Sequence, residues 1–463
     1  MPLRVWKRVV RLRTSSRGMV LGRFKPRMAG EEHGFFRGAD SVPSLGSSLG
    51  SVVPRKHKLA GSGQGWSICG VRKALRIAIV GCGSAGPAAA TLLRRQGHDV
   101  VLFERAPECR PVGAGFLLQP SGMAVLRELG IDGGVLARGA KVERLHVVDR
   151  EGRDLLDLRY AELGDGLHGI GLHRPVLLHF LLEAMGEAGV EVRWGCEITA
   201  AVREPDGWRL QAAGGAVERG FDLLVIADGA RSALRGRLGF RGTDRGYPWG
   251  AHWFIGENRG VFPESELYQI VHGTRRLLGF LATGTELHAS APLVSLFWSI
   301  KLADDAAIRA RPLDAWKQDI LHLCPRAKVL LSQITDWSQV LTARYGDVAM
   351  SRWHGDGVVV LGDAGHAMSP QLGQGVNLAL ADASCLAKAL AELPMPDALA
   401  RYSRERRFAL AYYRFASRQL TPWFQSDHEF LSPLRQVLFR GMQHLGPARR
   451  FMTRTMAGLV GFR

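Results

Sequence analysis

The sequence has no run of about 18 apolar residues, so no segment reads as a membrane-spanning helix. Cysteine is scarce. Cys69, Cys82, Cys109, Cys196, Cys324 and Cys385 stand apart, with no C-x-x-C pair. Neither a zinc site nor a dithiol redox motif is indicated, and isolated thiols suit a reducing compartment. The 15 histidines are equally dispersed, without an H-E-x-x-H pair, so no protein-held metal is expected. An apolar export signal with a small-residue cleavage site is missing too.

Acidic residues are nearly missing from the first sixth of the chain. Residues 1–74 hold 15 Lys and Arg against 3 Asp and Glu, a net +12 of the overall +18. The other 389 residues carry only a net +6. That body is too weakly basic to argue for nucleic acid and suits anionic small molecules. Residues 1–74, rich in Arg, Gly and Ser, read as a basic, disordered extension. A transit-type peptide and a basic arm for a membrane or nucleic acid are the alternatives. A cytoplasmic location is expected, with peripheral membrane association or organellar targeting as alternatives.

What is abundant is glycine: 56 of 463 residues, against a usual ~7%. Many glycines cluster at a few points, as in tight turns beside a ligand. The first cluster follows a buried strand, Leu75-Arg-Ile-Ala-Ile-Val80. Gly81-Cys-Gly83-Ser84-Ala85-Gly86 then opens a helix, and a second strand, Asp99–Phe103, ends in Glu104-Arg105. This is a βαβ unit with G-x-G-x-x-G at its first turn and an acid near the expected spacing. Gly81 permits the turn, Gly83 admits a pyrophosphate, and Gly86 allows close helix packing. The helix N-terminus offers N–H groups to phosphate, and Glu104 suits ribose hydroxyls.

Two later motifs extend the pattern. Phe221-Asp-Leu-Leu-Val-Ile-Ala-Asp228-Gly229-Ala-Arg-Ser232 reads as a strand and turn. Gly357-Val-Val-Val-Leu-Gly362-Asp363-Ala-Gly-His366 delivers an Asp at a strand end. Pro370-Gln-Leu-Gly373-Gln374-Gly375-Val376-Asn377 then leads into a helix. An Asp where a parallel strand leaves its sheet can accept bonds from a ribityl chain. Backbone N–H groups around Gly373–Asn377 can face the electron-poor end of a flavin.

Together these residues resemble the PHBH-like FAD-dependent aromatic hydroxylases, single-component flavoprotein monooxygenases such as the salicylate and ubiquinone-biosynthesis hydroxylases. The resemblance spans roughly residues 75–420. It implies that Gly81, Gly83, Ser84, Ala85, Gly86, Glu104 and Arg105 hold the ADP half of FAD. Arg110 would reach the pyrophosphate, and Gly115 would sit in the loop beside the flavin. Arg174 would reach the cofactor. Asp228 and Gly229 match a pair linked to FAD and the nicotinamide donor. Asp363, Gly373, Gln374, Gly375, Val376 and Asn377 match ribityl and flavin contacts. Ser121 and Gly365 depart from the family's usual Asn and Ala. Plainer readings stay open: Arg174 as a helix-start residue, His366 as a loop hydrogen-bonder, Asp382 as structural, Ser232 as a cap, and Cys82 as a filler with no thiol partner nearby.

The resulting expectation is an α/β fold: a Rossmann-like FAD-binding domain with an inserted antiparallel β-sheet substrate domain and C-terminal helices. The FAD domain takes residues 75–240 and 346–395, the substrate sheet 241–345, and the helical segment 396–463. Trp253, Phe254, Phe280, Phe297 and Trp298 are read as either pocket wall or core. From Leu431 onward six arginines and no acid appear, a solvated basic helix or a contact for an anionic membrane.

The resemblance implies a bound FAD and a transient NADH or NADPH. O2 would form a flavin hydroperoxide that hydroxylates an aromatic or other lipophilic small molecule. No side chain is assigned as catalytic. The alternatives are a reductase or halogenase of the same fold, or a flavin-binding sensor. The halogenase W-x-W-x-I-P segment is not matched by Phe297-Trp298-Ser-Ile300-Lys301.

Overall fold

A computed structural model describes residues 73–109 and 115–461. Most of the expected basic extension, and Arg110, lie outside these residues. Leu75 to Val80 supplies the strand Arg76–Val80, centred in a six-stranded sheet. Its order is His354–Gly355, Val358–Val360, Leu223–Ile226, Arg76–Val80, Asp99–Glu104 and Glu191–Trp194. All neighbours are parallel except the His354–Gly355 edge. Ile77, Ile79 and Leu223 to Ile226 are wholly buried, as continuous apolar strands covered on both faces must be. The helix Ala85–Arg95 follows the first strand and packs beside the helix Gly375–Glu392. This is the expected Rossmann-like layer.

The second large sheet has seven strands. They run in the order Leu341–Met350, Gly242–Glu257, Leu293–Lys301, Arg276–Gly284, Glu266–His272, Arg144–Asp149 and Asp154–Arg159. Two expectations need correction. The last two strands come from within 75–240, so the segment 241–345 does not build this sheet alone. The sheet is also not wholly antiparallel, because Glu266–His272 pairs parallel with Arg144–Asp149. Parallel pairing demands a long crossover, which the sequence between the two strands supplies and which hid the partnership from local reading.

Strand alternation then sorts the aromatic residues. Phe254, Phe280 and Trp298 join Trp316, Ile320 and Leu330 in a core beneath the helices of residues 305–331. Trp253 and Phe297 are cross-strand partners on the opposite face, with ring centroids 5.3 Å apart. A three-stranded sheet, Gly115–Leu118, Gly169–His173 and Ala140–Val142, packs on that opposite face. There a Cβ on Gly171 would fall 1.8 Å from Ala282 O. The C-terminal residues form the expected helices, Met395–Phe424, Leu431–His444 and Gly446–Met456.

Candidate cofactor and substrate site

The three glycine-bearing motifs converge at the C-terminal edge of the parallel sheet. Gly81 holds φ +108, and a Cβ there would lie 2.3 Å from Ala227 O. The glycine turn therefore touches the backbone just before Asp228. A Cβ on Gly86 would lie 2.0 Å from Gly81 O, so the helix closes on the turn itself. Gly83 differs: nothing stands within 4 Å of its Cβ position. The surface there is open, as the approach of a pyrophosphate requires. Ser84 precedes the helix but makes no side-chain cap, and Ala85 touches the Cβ position of Gly362 at 3.2 Å.

Glu104 is more occupied than the sequence suggests. One carboxylate oxygen accepts from Cys82 N at 2.7 Å, the other from Ala106 N at 2.9 Å. Glu104 thus fixes the glycine turn, and each oxygen keeps a further lone pair for a ribose. Burial pushes the Cys82 thiol up, with Cys109 and Glu104 adding to it. Cys109 is pushed up to about 11 by burial and Glu104. Both stay protonated near neutrality, which suits a filler. Cys109 lies within electrostatic reach of Cys82, and both thiols are free.

Asp228 Oδ1 is buried with no hydrogen-bond partner among the described residues. Burial raises its pKa, opposed by Ser232, Arg235 and Arg105. An orphaned carboxylate oxygen inside a motif turn fits a ligand hydroxyl. Ser232 caps the next short helix by accepting from Arg235 N at 3.1 Å.

Arg235 is a residue the motif reading passed over. Its buried guanidinium donates to Ala364 O at 2.7 Å and Ala230 O at 3.2 Å, and pairs with Asp244. It thereby clamps the second motif to the third.

Asp363 opens the short helix Asp363–His366 and is exposed. Behind it, Asp382 accepts from Gly362 N at 2.9 Å, meets His366 Nε2 at 2.6 Å, and accepts from Arg406 Nε at 2.7 Å. Burial alone would raise the Asp382 pKa, but His366 and Arg406 hold it below the usual value. His366 is therefore spent on a buried network. Gly375 faces Asp363, its Cβ position 3.8 Å from Asp363 Oδ1.

Arg174 is exposed, yet burial lowers its pKa while the Asp363 charge raises it. Its guanidinium also lies over the Phe116 ring, 5.7 Å from the centroid.

The glycine loop at Gly373 (φ +62) is held from both sides. Asn377, fully buried, accepts from Gln119 N at 2.8 Å and donates to Gly373 O at 3.1 Å and Leu117 O at 3.3 Å. Gln374 donates to Met456 O at 2.8 Å. These two side chains shape the loop, leaving its backbone as the surface for a cofactor, and Val376 is only partly buried. Gly115 has a packing reason: a Cβ there would lie 2.1 Å from Thr283 Cγ2.

The face of the large sheet bearing Trp253 is covered in part by the Gly115 strand, which closes on Thr283 and Ser295. Thr283 Oγ1 and Ser295 Oγ are buried there without a hydrogen-bond partner among the described residues. Tyr345, within reach of the Trp253 indole, has its pKa raised by burial. At the sheet edge, Val348 N donates to Ala367 O at 2.8 Å, so the sheet docks on the Asp363 helix. Tyr247 lies against Ser369, and burial followed by Asp347 raises its pKa. Asp347 pairs with Arg418 at 2.8 Å. None of Tyr247, Thr283, Ser295 or Tyr345 belongs to a motif. Only strand parity, once Trp253 is placed, could have flagged Ser295 and Tyr345.

The described residues contain no metal-ligating cluster of His, Cys, Asp and Glu, and no described helix is long and apolar enough to cross a membrane. The donor set fits FAD: an open glycine turn, an orphaned Asp oxygen, and the exposed Asp363 facing a shaped glycine loop.

Comparison with known proteins supports an FAD-binding chain. The sequence model of the FAD binding domain family matches residues 74–413. An aurachin C monooxygenase/isomerase of Stigmatella aurantiaca is 28% identical over 395 residues, covering 80% of this chain and 95% of that protein. A 3-amino-4-hydroxybenzoate 2-monooxygenase of Streptomyces cremeus is 30% identical over 340 residues, covering 70% and 80%. Among solved structures, Pseudomonas aeruginosa PqsL in complex with 2-aminobenzoylacetate superposes with a TM-score of 0.68 at 27% identity, covering 78% of this chain and 100% of that one.

Proposed function

The chain belongs to the FAD binding domain family and is a PHBH-like FAD-dependent monooxygenase, and from that premise we propose that NADH or NADPH and O2 serve it in hydroxylating an aromatic, lipophilic small molecule. The observation that carries the cofactor site is the exposed Asp363 at the strand end, with the Gly375 Cβ position 3.8 Å from its Oδ1.

FAD, when bound, accepts the nicotinamide's electrons and activates oxygen. The chain's residues do the rest. Gly81–Gly86, Glu104, Arg105 and Arg110 take the ADP half. Asp228 and Gly229 bind ligand hydroxyls, and Asp363 accepts from the ribityl chain. The backbone of Gly373–Asn377 presents N–H groups where negative charge develops. Arg174 offsets charge on the opposite side, and Gly115 lets its strand close on the large sheet.

The names of two relatives point to small aromatic rings bearing hydroxyl, amino or carbonyl groups. Trp253 and Phe297 supply an apolar wall for such a ring. Tyr247 and Tyr345, with raised pKa values, stay protonated and act as donors rather than bases. The sheet and its flanking helices exclude water from the reaction.

The test is anaerobic reduction of the FAD-loaded chain by NADH and by NADPH, with and without hydroxylated and aminated aromatics. Bleaching of the flavin absorbance by one nucleotide supports the reading. A flavin that neither nucleotide reduces, with every compound present, contradicts it.

A further inference from the structure

The C-terminal helices expose apolar side chains in a pattern the monooxygenase site does not use. Eight of the thirteen large apolar side chains exposed among the described residues lie between residues 408 and 451, and these include every exposed phenylalanine. Phe408 is 63% exposed and Phe415 61%, although both follow a helix of which Tyr402, Leu410 and Tyr413 form the buried side. Monomeric proteins rarely leave such patches to water.

The patch is continuous across two helices. Phe408 stacks on Tyr412, ring centroids 6.4 Å apart, and Tyr412 meets Phe451 edge-on at 6.2 Å. At 3.6 residues per turn, Phe408, Tyr412 and Phe415 share one stripe of the helix Met395–Phe424. Arg404, Arg407 and Arg414 fall on the adjoining stripe. Arg450 and the exposed Arg454 flank Phe451 on the helix Gly446–Met456.

The helix between them is patterned inside out. In Leu431–His444 the charged residue Arg435 is buried, donating to Gly273 O at 2.9 Å and Trp423 O at 2.6 Å. Burial lowers its pKa to about 10. Leu434, Val437 and Leu438, at i, i+3 and i+4, face outward, Val437 being 74% exposed. A helix meant to face only water would place these residues the other way round.

We propose that this surface docks the enzyme on an anionic phospholipid bilayer, the aromatic stripe entering the interface and the arginine stripe meeting the headgroups. Charge selects this occupant. Arg404, Arg407, Arg450 and Arg454 are exposed beside the aromatic stripe, and residues 431–463 hold no acid. A second copy related by a two-fold axis would set the arginine stripe against its own image. The segment 1–74, at net +12, carries the same sign as the stripe it would have to cover. An aromatic stripe bordered by arginine is the composition of interfacial helices.

The test uses the full FAD-loaded chain and sedimentation with two vesicle types, phosphatidylcholine alone and phosphatidylcholine containing phosphatidylglycerol. The expected result is co-sedimentation with the anionic vesicles only, weakening as salt rises. Phe408→Ser with Phe415→Ser should cut partitioning about tenfold or more, with NAD(P)H oxidation unchanged. If that pair loses FAD through misfolding, Arg404→Gln with Arg407→Gln and Arg414→Gln tests the same surface from its charged side, and a similar loss is expected. Wild-type chain that stays in solution with anionic vesicles overturns the proposal. Undiminished binding by the variants overturns it too, and assigns binding to residues 1–74. A wild-type dimer that the phenylalanine variants dissociate would give the surface to a second copy instead.

Discussion

Arg235 Nη1 donates to Ala364 O at 2.7 Å. One buried side chain from the turn after Asp228–Gly229 thus holds the peptide that follows Asp363. The two motifs lie more than 100 residues apart, and this clamp fixes the backbone of the Asp363 helix against the second motif. Arg235→Met should therefore loosen the cofactor more than the fold. Hydrogen bonds to charged groups contribute ~1.5–3 kcal/mol. FAD affinity should fall at least about tenfold, which is ~1.4 kcal/mol, as read by recovery of flavin fluorescence on dilution. Arg235→Lys, unable to reach Asp244 and Ala364 together, should restore little.

The three glycines of the first turn should separate by effect. Gly83→Ala places its Cβ in open space, so thermal stability of the cofactor-free chain should stay within ~0.5 kcal/mol while FAD affinity drops. Gly81→Ala and Gly86→Ala collide with backbone oxygens and should lower stability by ~2 kcal/mol or more. Melting temperatures with and without FAD distinguish the two classes.

That split also marks how much the sequence could tell. The glycine turn, Asp228 and Asp363 were legible because tight backbone approach and strand-end carboxylates leave local signatures. Arg235, Tyr247 and Ser295 were not, because their roles arise from packing between segments far apart in the chain. Strands Arg144–Asp149 and Asp154–Arg159 escaped notice for the same reason: the large sheet claims them by a non-local parallel pairing. Asn377 and Gln374 lie in the loop whose backbone N–H groups the sequence singles out for a flavin, and the added detail is in their side chains. Their side chains fasten the loop, which leaves the backbone to meet a cofactor.

Asp382 makes the cofactor turn sensitive to acid. Its folded pKa lies below the ordinary carboxylate value because His366 and Arg406 overcome its burial. Such a group contributes stability that is present above the unfolded pKa of ~3.9 and is lost as pH falls through the lower folded value. FAD retention and thermal stability should thus decline together below about pH 4. Asp382→Asn leaves Arg406 buried without its counter-charge and should cost ~3–5 kcal/mol at neutral pH. Acid titrations of both proteins by circular dichroism check this, and the variant should lose the Asp382 share of the acid limb.

The two faces of the large sheet should answer differently to truncation. Phe280, 1% exposed, stacks on Phe262 with centroids 3.9 Å apart in the helix-covered core. Phe280→Ala should cost ~3–5 kcal/mol of stability. Trp253→Ala, on the opposite face proposed as the substrate wall, should leave FAD binding intact and raise the KM for the aromatic substrate, or widen the range of rings accepted. Steady-state kinetics beside melting curves separate these outcomes.

The most direct test of the central claim is oxygen incorporation. The FAD-loaded chain is supplied with NADH or NADPH and isotopically labelled O2, with a panel of hydroxylated and aminated aromatic compounds, and the products are weighed by mass spectrometry. The account predicts one compound that accelerates nucleotide oxidation and gains a single labelled oxygen atom, with Asp363→Asn suppressing both. Nucleotide oxidation that yields a reduced or halogenated compound, with no labelled oxygen incorporated, would contradict it.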